Sequence, residues 1–339
     1  MEKSKTGVLL VNVGTPDSPA TADVWKYLRQ FLMDGRIIDI PYWRRLLLVN
    51  LIIAPFRAPK SAREYEKIWS EKGSPLMYHS CNFRDSIQQQ LGDNFIVSLA
   101  MRYQNPSIES ALETLQQQRP SSIVVFPLFP QYASATVGSV HEKVMQVVQA
   151  WPQIPKLRFI DSFYEHPSMI RTMSCLGKQH IDQGNYDHIL FTFHGLPERQ
   201  LRKGNPDCFI DANCCDAIHA GNHSCYRAQC FATSRSLAAA LDLEDGDYTV
   251  SFQSRLGKDP WIQPYTDEVL ETLAEKGVKK ILAFSPSFVA DCLETTIEIG
   301  EEYHGMFTEL GGEDLQLVES LNAHPLWVEA AREIILEND

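Results

Sequence analysis

The sequence lacks several features that would assign it to common protein classes. No apolar run approaches the ~18 residues of a membrane-spanning helix. Basic charge is not in excess, since 31 Lys and Arg stand against 43 Asp and Glu, a formal net charge of −12. This balance argues against a nucleic-acid partner, because phosphate backbones favour a basic face. Repeats and low-complexity tracts are also missing, and 44% apolar with 22% charged residues is typical of a globular chain.

The N-terminal segment does not have the pattern of a secretory signal. Its apolar part, residues 8–13, has the length of a β-strand and is followed at once by a turn. We therefore expect a cytoplasmic protein, with association at the inner face of the membrane left open. In that compartment the eight cysteines are expected to be mostly reduced thiols or metal ligands rather than disulfides.

Short apolar, β-branched runs alternate with longer amphipathic stretches along the chain. Seven such runs occur, at 8–13, 95–99, 123–126, 157–160, 188–193, 248–252 and 280–284. This alternation predicts βαβ units and an α/β fold with parallel sheets. Two smaller doubly wound domains suit the chain length best, and a single (β/α)8 barrel is the alternative.

We expect a domain boundary near residues 119–122, where a predicted helix ends and a strand begins. The N-terminal lobe would comprise residues 1–118 and 319–339. The C-terminal lobe would comprise residues 119–318, with a cysteine-rich insertion at 205–230.

Ligands of open α/β sheets bind beyond the carboxyl ends of the strands. The loops that follow the predicted strands here are rich in Pro, Gly and aromatic residues. The Rossmann and P-loop phosphate motifs are absent, since Gly14 stands alone after the first strand. This composition favours a large, flat, apolar ligand over a nucleotide.

Two features of these loops could carry chemistry. His194 ends a buried strand, so its imidazole could act as a base or a metal ligand, or could simply bond a neighbouring carbonyl. Four glutamates follow the last predicted strand: Glu294, Glu298, Glu301 and Glu302. Their spacing puts the first three on one face of an α-helix. Such a row could pass protons or hydrated cations, although a solvated helix face is its commoner meaning.

Five of the eight cysteines share one segment: Cys208, Cys214, Cys215, Cys225 and Cys230. Thiols at this density in a reducing compartment indicate a soft-metal site, and four sulfurs suit an iron–sulfur cluster or a structural zinc ion. The spacing matches neither the usual zinc-ribbon pattern nor the ferredoxin pattern, so the metal stays open. His219 and His223 are further possible zinc ligands. With five thiols for four places, at least one is a bystander.

The segment from Trp43 to Arg63 combines an apolar run at residues 46–53 with several basic side chains. These are Arg44, Arg45, Arg57, Lys60 and Arg63. A helix of this kind can lie in the interface of a membrane, and it can equally be a buried helix with snorkelling arginines.

Taken together and in order, the loops resemble the motifs of the ferrochelatase family. The matching segments are 10–16 (LVNVGTP), 56–60 (FRAPK), 73–76 (GSPL), 101–103 (MRY), 193–197 (FHGLP), 252–255 (FQSR) and 284–288 (FSPSF). The resemblance runs from about residue 7 to about residue 322, nearly the whole chain. The ordered set is far more specific than any one motif.

The resemblance implies two Rossmann-like halves with an active-site cleft between them. It also implies a lyase-class enzyme that inserts Fe²⁺ into protoporphyrin IX to form protohaem, the final step of haem biosynthesis. Coproporphyrin III is the alternative substrate. A non-catalytic tetrapyrrole or haem carrier of the same fold, and a zinc-dependent hydrolase that uses the cysteine segment, are the alternatives from other classes. A monomer and a homodimer are both compatible with the resemblance.

The family's functional residues can be carried over through these motifs. The resemblance implies that His194 and Glu294 face each other across the porphyrin as the catalytic pair. It implies that Glu298 and Glu302 continue an acidic path for the metal or for protons. Seven further positions are implied to contact the substrate: Val13, Arg57, Tyr65, Ser74, Arg102, Tyr103 and Trp261. Of these, Arg57, Tyr65 and Ser74 would hold porphyrin carboxylates, and the others would line the cleft.

The cysteine-rich segment is similar to an insertion that holds a [2Fe-2S] cluster in some bacterial relatives. The resemblance thus implies that four of the five clustered cysteines are cluster ligands. Two positions depart from the family pattern. Cys292 stands where many relatives have His, and Val13 stands where some have Met or Tyr, so no metal-ligating side chain is expected at Val13.

Overall fold

The computed structural model describes residues 5–205, 208, 213–255, 257 and 259–339. Within this part of the chain the strands are β1 (Thr6–Gly14), β2 (Phe95–Tyr103), β3 (Ser122–Pro127), β4 (Lys156–Phe159), β5 (His188–His194), β6 (Tyr248–Gln253), β7 (Lys280–Phe284) and β8 (Asp314–Leu317). All seven predicted strands are present. The additional strand, β8, escaped prediction because it has only four residues and two of them are polar.

Among the described residues, at least one helix lies between each strand and the next. The helices are α1 (Thr21–Leu32), α2 (Tyr42–Leu47), α3 (Ala54–Ile68), α4 (Pro75–Leu91), α5 (Ile108–Gln117), α6 (Ser139–Val148), α7 (Pro167–Gln183), α8 (Glu198–Gly204), α9 (Tyr226–Ala240), α10 (Thr266–Glu275), α11 (His304–Glu309) and α12 (Pro325–Glu337). Three segments are π-helical, at Leu48–Ile53, Ser134–Gly138 and Glu294–Tyr303, and a short 3₁₀ turn covers Gly92–Asn94.

The strands form two four-stranded sheets, in the orders β2-β1-β3-β4 and β6-β5-β7-β8. All pairings in both sheets are parallel. The strands at the centre, β1 and β3 in one sheet and β5 in the other, are buried along almost their whole length, as expected where helices cover both faces of a sheet. This confirms the α/β prediction with two doubly wound sheets. Two separate open sheets exclude the (β/α)8 barrel.

The chain divides into two compact units. The first comprises the chain up to Phe129 with Ser134–Asp161 and Trp327–Asp339, and the second comprises Pro130–Ala133 and Ser162–Leu326. This division differs from the boundary predicted near residues 119–122. The reason is that β3 pairs with β1 and β4 pairs with β3, so both strands complete the first sheet.

Each unit has its own apolar core. In the first, Leu9 and Val125 of the sheet pack with Leu112 of α5 and Val144 of α6. Trp327 of α12 is fully buried there and stacks on Phe83 at a ring distance of 5.4 Å. In the second unit, residues of β5 and β7 pack with α10 and α11 in the same way. The two cores fix the sheets, and the sheets fix the loops at their carboxyl ends.

Candidate active site

Strand β5 carries His194 to the carboxyl edge of the second sheet. The residue that follows, Gly195, lies in a close approach that only glycine allows. A Cβ atom there would be 2.7 Å from the carbonyl oxygen of Gln253 and 3.2 Å from the ring of Trp261. The Gly195 amide donates a 2.7 Å hydrogen bond to that same carbonyl. The glycine after His194 is thus required by the close approach of β6 and of Trp261.

The orientation of the His194 ring is set by its own main chain. Nδ1 lies 2.7 Å from the Gly195 carbonyl oxygen. A carbonyl can only accept, so Nδ1 carries the proton of this bond, and in the neutral ring Nε2 carries the free lone pair. The ring is partly exposed and lies edge-on to Phe288. A half-buried imidazole with a free lone pair is suited to accepting a proton.

The glutamates lie on the π-helix Glu294–Tyr303, not on the α-helix assumed from their spacing. A π-helix has wider turns than an α-helix, so Glu301 does not share the face that α-helical spacing assigns to it. Glu294 and Glu298 are half-buried, whereas Glu301 and Glu302 are exposed. The acidic row therefore runs from partly buried carboxylates to carboxylates in solvent. π-helical turns occur frequently at functional sites.

Glu298 lies within electrostatic reach of both members of the expected catalytic pair. Burial raises the pKa of its carboxyl, and the charge of Glu294 raises it further. Hydrogen bonds from Ser254 and Gln253 and the proximity of His194 oppose this rise. The Ser254 hydroxyl donates at 2.5 Å and the Gln253 amide at 3.3 Å. The second unit thus gathers an imidazole and two carboxylates at one edge of its sheet.

Cys292, the position where many relatives have His, is buried beside this site. The backbone N–H of Cys292 donates to the Thr295 hydroxyl at 3.0 Å, and its carbonyl accepts from the same hydroxyl at 3.1 Å. Burial and the charge of Glu294 hold the pKa of its thiol well above the usual value, and the thiol is hydrogen-bonded to the Glu294 carboxylate. Cys292 is therefore a neutral hydrogen-bond donor to Glu294.

Trp261 is half-buried and forms a bridge with Pro197, so it lies against the loop that follows His194. The remaining substrate positions belong to the first unit. Val13 is half-buried at the end of β1, and Arg57 is exposed on α3. Tyr65 of α3 is buried, with its ring edge-on to those of its neighbours. The hydroxyl of Ser74 caps α4 by accepting a 3.3 Å bond from Met77 N.

Arg102 and Tyr103 enter a buried network that the sequence did not reveal. One carboxylate oxygen of Asp34 accepts hydrogen bonds from Arg102 at 2.6 Å, from the Tyr103 hydroxyl at 2.9 Å and from the Ser139 hydroxyl at 2.5 Å. Burial acts to raise the pKa of Asp34, but the bonds from Ser139 and from the Arg36 N–H, with the Arg102 charge, hold it below its usual value. Burial also raises the pKa of Tyr103 far above its usual value. The Arg102 guanidinium is therefore committed to an internal ion pair.

The cysteine segment brings thiols close to one another. Cys208, Cys215 and Cys230 are buried, and Cys214 and Cys225 are half-buried. The Sγ atoms of Cys214 and Cys215 are 3.7 Å apart. The pKa of the Cys208 thiol is raised to about 12, mainly by burial. The neighbouring Cys225, which is hydrogen-bonded to this thiol, also raises the pKa.

The predicted metal site is not confirmed by this arrangement. Across the described residues, which omit 206–207 and 209–212 of this segment, no group of three or more His, Cys, Asp or Glu side chains is placed to hold a metal ion. The two candidate zinc ligands make local bonds. His219 accepts from the Gly221 N–H at 3.1 Å, and His223 Nδ1 is 2.9 Å from the Ala220 carbonyl.

The basic, apolar segment forms α2, the first π-helix and α3, and most of its large apolar side chains are exposed, although Val49 is buried. Seven of the exposed large apolar residues of the described chain lie here: Tyr42, Trp43, Leu46, Leu47, Leu51, Ile52 and Phe56. We call this surface the apolar lip. Phe56 is 78% exposed. Among the helices described, none is both long enough and apolar enough to cross a membrane.

Several residues of the site were missed from the sequence. Gln253 and Ser254 directly follow the predicted strand 248–252, so the sequence shows their position but not their role. No sequence motif marks Asp34 or Tyr226. Their hydrogen-bond partners, Arg102 and His194, lie 68 and 32 residues away along the chain.

An imidazole and carboxylates lie at the carboxyl edge of a parallel sheet, where open α/β proteins bind their ligands, in a chain with two such sheets. The fold is similar to that of two solved structures of SirB from Bacillus subtilis, one with Fe³⁺ and one, a sirohydrochlorin chelatase, with cobalt. The TM-scores are 0.57 and 0.56, with 98% of this chain and 95% of each of those chains covered. Their sequence identities are 12% and 11%, so this likeness concerns the fold alone.

The chain belongs to the ferrochelatase family, whose profile matches residues 5–339. It is 47% identical over 329 residues to the ferrochelatase of Coxiella burnetii (strain Dugway 5J108-111), covering 96% of this chain and 92% of that protein. It is 45% identical over 333 residues to the ferrochelatase of Legionella pneumophila (strain Lens), covering 98% of this chain and 99% of that protein.

Proposed function

We propose that this chain inserts Fe²⁺ into protoporphyrin IX to form protohaem, the last step of haem biosynthesis. As a ferrochelatase-family member it is a porphyrin metal chelatase, an enzyme of the lyase class. The observation that carries the proposal is the grouping of His194, Glu294 and Glu298 at one sheet edge, in a chain that is 47% identical to a ferrochelatase.

Metal insertion removes two protons from pyrrole nitrogens, and His194 and Glu294 are the proposed acceptors. Nε2 of His194 has the free lone pair that a base needs, because Nδ1 is engaged with the Gly195 carbonyl. Glu294 accepts the second proton or passes the metal inward. Glu298 and Glu302 continue this acidic route to solvent as a path for hydrated Fe²⁺ or for protons.

The ring must also deform so that its nitrogen lone pairs point toward the metal. The rigid aromatic walls near His194, Trp261 and Phe288, are suited to enforcing such strain. Strain of this kind must be offset by binding energy from other parts of the ligand. Val13, half-buried at the end of β1, is a further proposed apolar contact in the first unit, whereas Tyr103 is 1% exposed and supports the site from behind.

Porphyrin carboxylates would supply that binding energy. Arg57 is exposed, and no ion pair engages it among the described residues, so its guanidinium is available for a charge-assisted bond to a propionate. The hydroxyls of Tyr65 and Ser74 are the other proposed donors. Arg102 acts instead by bracing the buried Tyr103 through their shared partner, Asp34.

Coproporphyrin III, with four carboxylates instead of two, is the alternative substrate. Anaerobic turnover of the two porphyrins with Fe²⁺ decides between them. We expect the higher kcat/KM with protoporphyrin IX. A clear preference for coproporphyrin III would overturn the choice of substrate while retaining the reaction. Binding of both porphyrins without metallation would instead favour a non-catalytic carrier.

We further propose a [2Fe-2S] cluster on four of the five clustered cysteines. The donor type suits a cluster, because iron–sulfur clusters are held by Cys thiolates. Several of these thiols lie within electrostatic reach of one another: Cys208 is near Cys225 and Cys215, and Cys230 is near the same two. Cys214 is half-buried and lies close to Cys215 and Cys208, and we propose it as the spare thiol. Arg227 donates to the Cys215 sulfur at 3.0 Å, which suits a thiolate ligand. A bound cluster would cross-link the segment to the start of α9.

Iron and sulfide analysis of protein purified without oxygen tests this cluster. We expect about two irons per chain and visible absorption. Cys225→Ser should lose both, whereas Cys214→Ser and the distant control Cys81→Ser should keep them. Zinc in place of iron, or a colourless, metal-free protein, would overturn the cluster.

We also propose that the apolar lip contacts a membrane surface peripherally. Exposed apolar side chains with adjacent Arg44, Arg57 and Lys60 form the pattern of an interfacial helix. Such contact would allow a poorly soluble porphyrin to enter, and haem to leave, without crossing water.

A further inference from the structure

Tyr226 is the first residue of α9 and stands between two of the clustered cysteines. Cys225 precedes it as the N-cap residue of the helix, and Cys230 follows one turn later. The ring is buried, and its hydroxyl donates a 2.8 Å hydrogen bond to the carbonyl oxygen of His194. The start of α9 is therefore tied directly to the last residue of β5.

The main chain of His194 is held on both sides by side chains rather than by the sheet alone. Its N–H lies 3.4 Å from the hydroxyl of Ser287, in the loop after β7. Its carbonyl is held by Tyr226. The Tyr226 hydroxyl also contacts the Ser287 and Cys230 side chains, so it is fixed in turn.

These bonds fix one particular peptide plane, that between His194 and Gly195. Tyr226 holds its carbonyl oxygen, and the Gln253 carbonyl holds its N–H at 2.7 Å. The imidazole is in turn oriented by the bond from Nδ1 to the Gly195 carbonyl, which belongs to the next peptide. If the His194–Gly195 peptide were free to rotate, the next peptide, which carries the Gly195 carbonyl, could rotate with it. The imidazole of His194 would then lose its fixed orientation.

We propose that Tyr226 is a positioning residue for metal insertion, which holds the His194–Gly195 peptide and thereby aims Nε2 of His194. This inference rests on the proposed function, in which His194 is the base. A misplacement of about 1 Å can cost about 10²-fold in rate without weakening substrate binding. Loss of the Tyr226 hydroxyl should therefore lower kcat and leave KM for porphyrin nearly unchanged.

The test compares Tyr226→Phe with the matched control Tyr248→Phe. Tyr248 lies at the start of β6 at the far end of the sheet, where its ring packs on Phe191. We expect Tyr226→Phe to lower kcat about tenfold to 100-fold with KM for porphyrin within about twofold. The control should keep both constants. A normal kcat in Tyr226→Phe would overturn the proposal.

A spectroscopic readout separates positioning from a general structural role. NMR spectra are recorded on protein with ¹⁵N-labelled histidine side chains. The signal of His194 is assigned as the one that is absent from the spectrum of His194→Ala. It should move in Tyr226→Phe and stay in place in Tyr248→Phe. An unmoved signal would contradict the proposal. If Tyr226→Phe does not fold, Ser287→Ala is used instead. This variant removes the hydroxyl that contacts the His194 N–H, and the His194 signal should again move.

The base assignment of His194 and the positioning role of Tyr226 are disproved by different results. If His194→Ala keeps full activity, the base assignment in the proposed function is wrong whatever Tyr226 does. If His194→Ala is inactive and Tyr226→Phe behaves as wild type, only the positioning role is wrong.

Discussion

The hydroxyl of Ser254 donates a 2.5 Å hydrogen bond to the carboxylate of Glu298 from a backbone in the left-handed region, with φ of 67°. A non-glycine residue in this conformation costs free energy of order 1–3 kcal/mol, and such residues cluster at active sites. The geometry keeps a half-buried carboxylate hydrogen-bonded next to His194. In the proposed function, this strained turn holds a carboxylate of the acidic path in place.

Glu298→Gln should stabilise the protein at neutral pH more than at acidic pH. Burial raises the pKa of Glu298 above 4.5, so the folded state favours its protonated form. Its contribution to stability is complete below the unfolded pKa and is lost as the pH rises through the folded pKa. Thermal unfolding at pH 8 and pH 4.5 measures this, with the exposed Glu313→Gln as control. An equal change in Tm at both pH values would contradict the prediction.

Asp34→Asn should destabilise the first unit by about 3 kcal/mol, because it leaves the buried guanidinium of Arg102 without its counter-charge. The Asp34 and Arg102 side chains are only 8% and 16% exposed. The pKa of Asp34 is lowered, so its contribution is present above 3.8 and is lost as the pH falls through the folded pKa.

Denaturant unfolding near pH 7 and near pH 3 measures the effect of Asp34→Asn. The control is Lys143→Met, which removes a more exposed ion pair with Glu109 and should cost at most about 1 kcal/mol. A loss for Asp34→Asn as small as that of the control would show that the network contributes little to stability.

Cys292→Ala should lower kcat about tenfold, whereas Cys292→Ser should keep most of the activity. The buried thiol donates a hydrogen bond to Glu294, and a serine hydroxyl can replace it. Steady-state metallation of both variants provides the measurement. Cys175→Ala on α7 is the control for loss of a half-buried thiol elsewhere. Equal activity in Cys292→Ala and Cys292→Ser would show that this hydrogen bond is not used.

The double variant Leu51→Ser/Phe56→Ser should bind lipid vesicles at least about tenfold more weakly than wild type. Both side chains are exposed on the apolar lip, and burying one such side chain contributes about 1.5–3 kcal/mol. Sedimentation with phosphatidylglycerol vesicles measures binding, and Met145→Ser, exposed on α6, is the control. Binding that persists undiminished in the double variant would exclude the lip as the contact.

The sequence predicts the sheets well because buried parallel strands are near-continuous apolar runs, as in β5. It predicts the domain boundary less well, because the sequence does not show which strands pair in one sheet. The strands β3 and β4 join the sheet of β1. The π-helix Glu294–Tyr303 is not visible from periodicity, because the four-residue spacing of its glutamates also fits an α-helix. The contacts of Asp34 and Tyr226 depend on packing between distant segments, which one sequence does not encode in any local pattern.

The central claim is that His194 and Glu294 act on a bound porphyrin during metal insertion. Anaerobic single-turnover metallation by Fe²⁺ tests it most directly, with porphyrin binding followed separately by tryptophan fluorescence. His194→Ala and Glu294→Gln are compared with His180→Ala, a residue of α7 that pairs with Glu319. We expect the first two variants to bind porphyrin normally and to metallate it at least about 10²-fold more slowly, while the control is unaffected. Wild-type rates in His194→Ala and Glu294→Gln would contradict it.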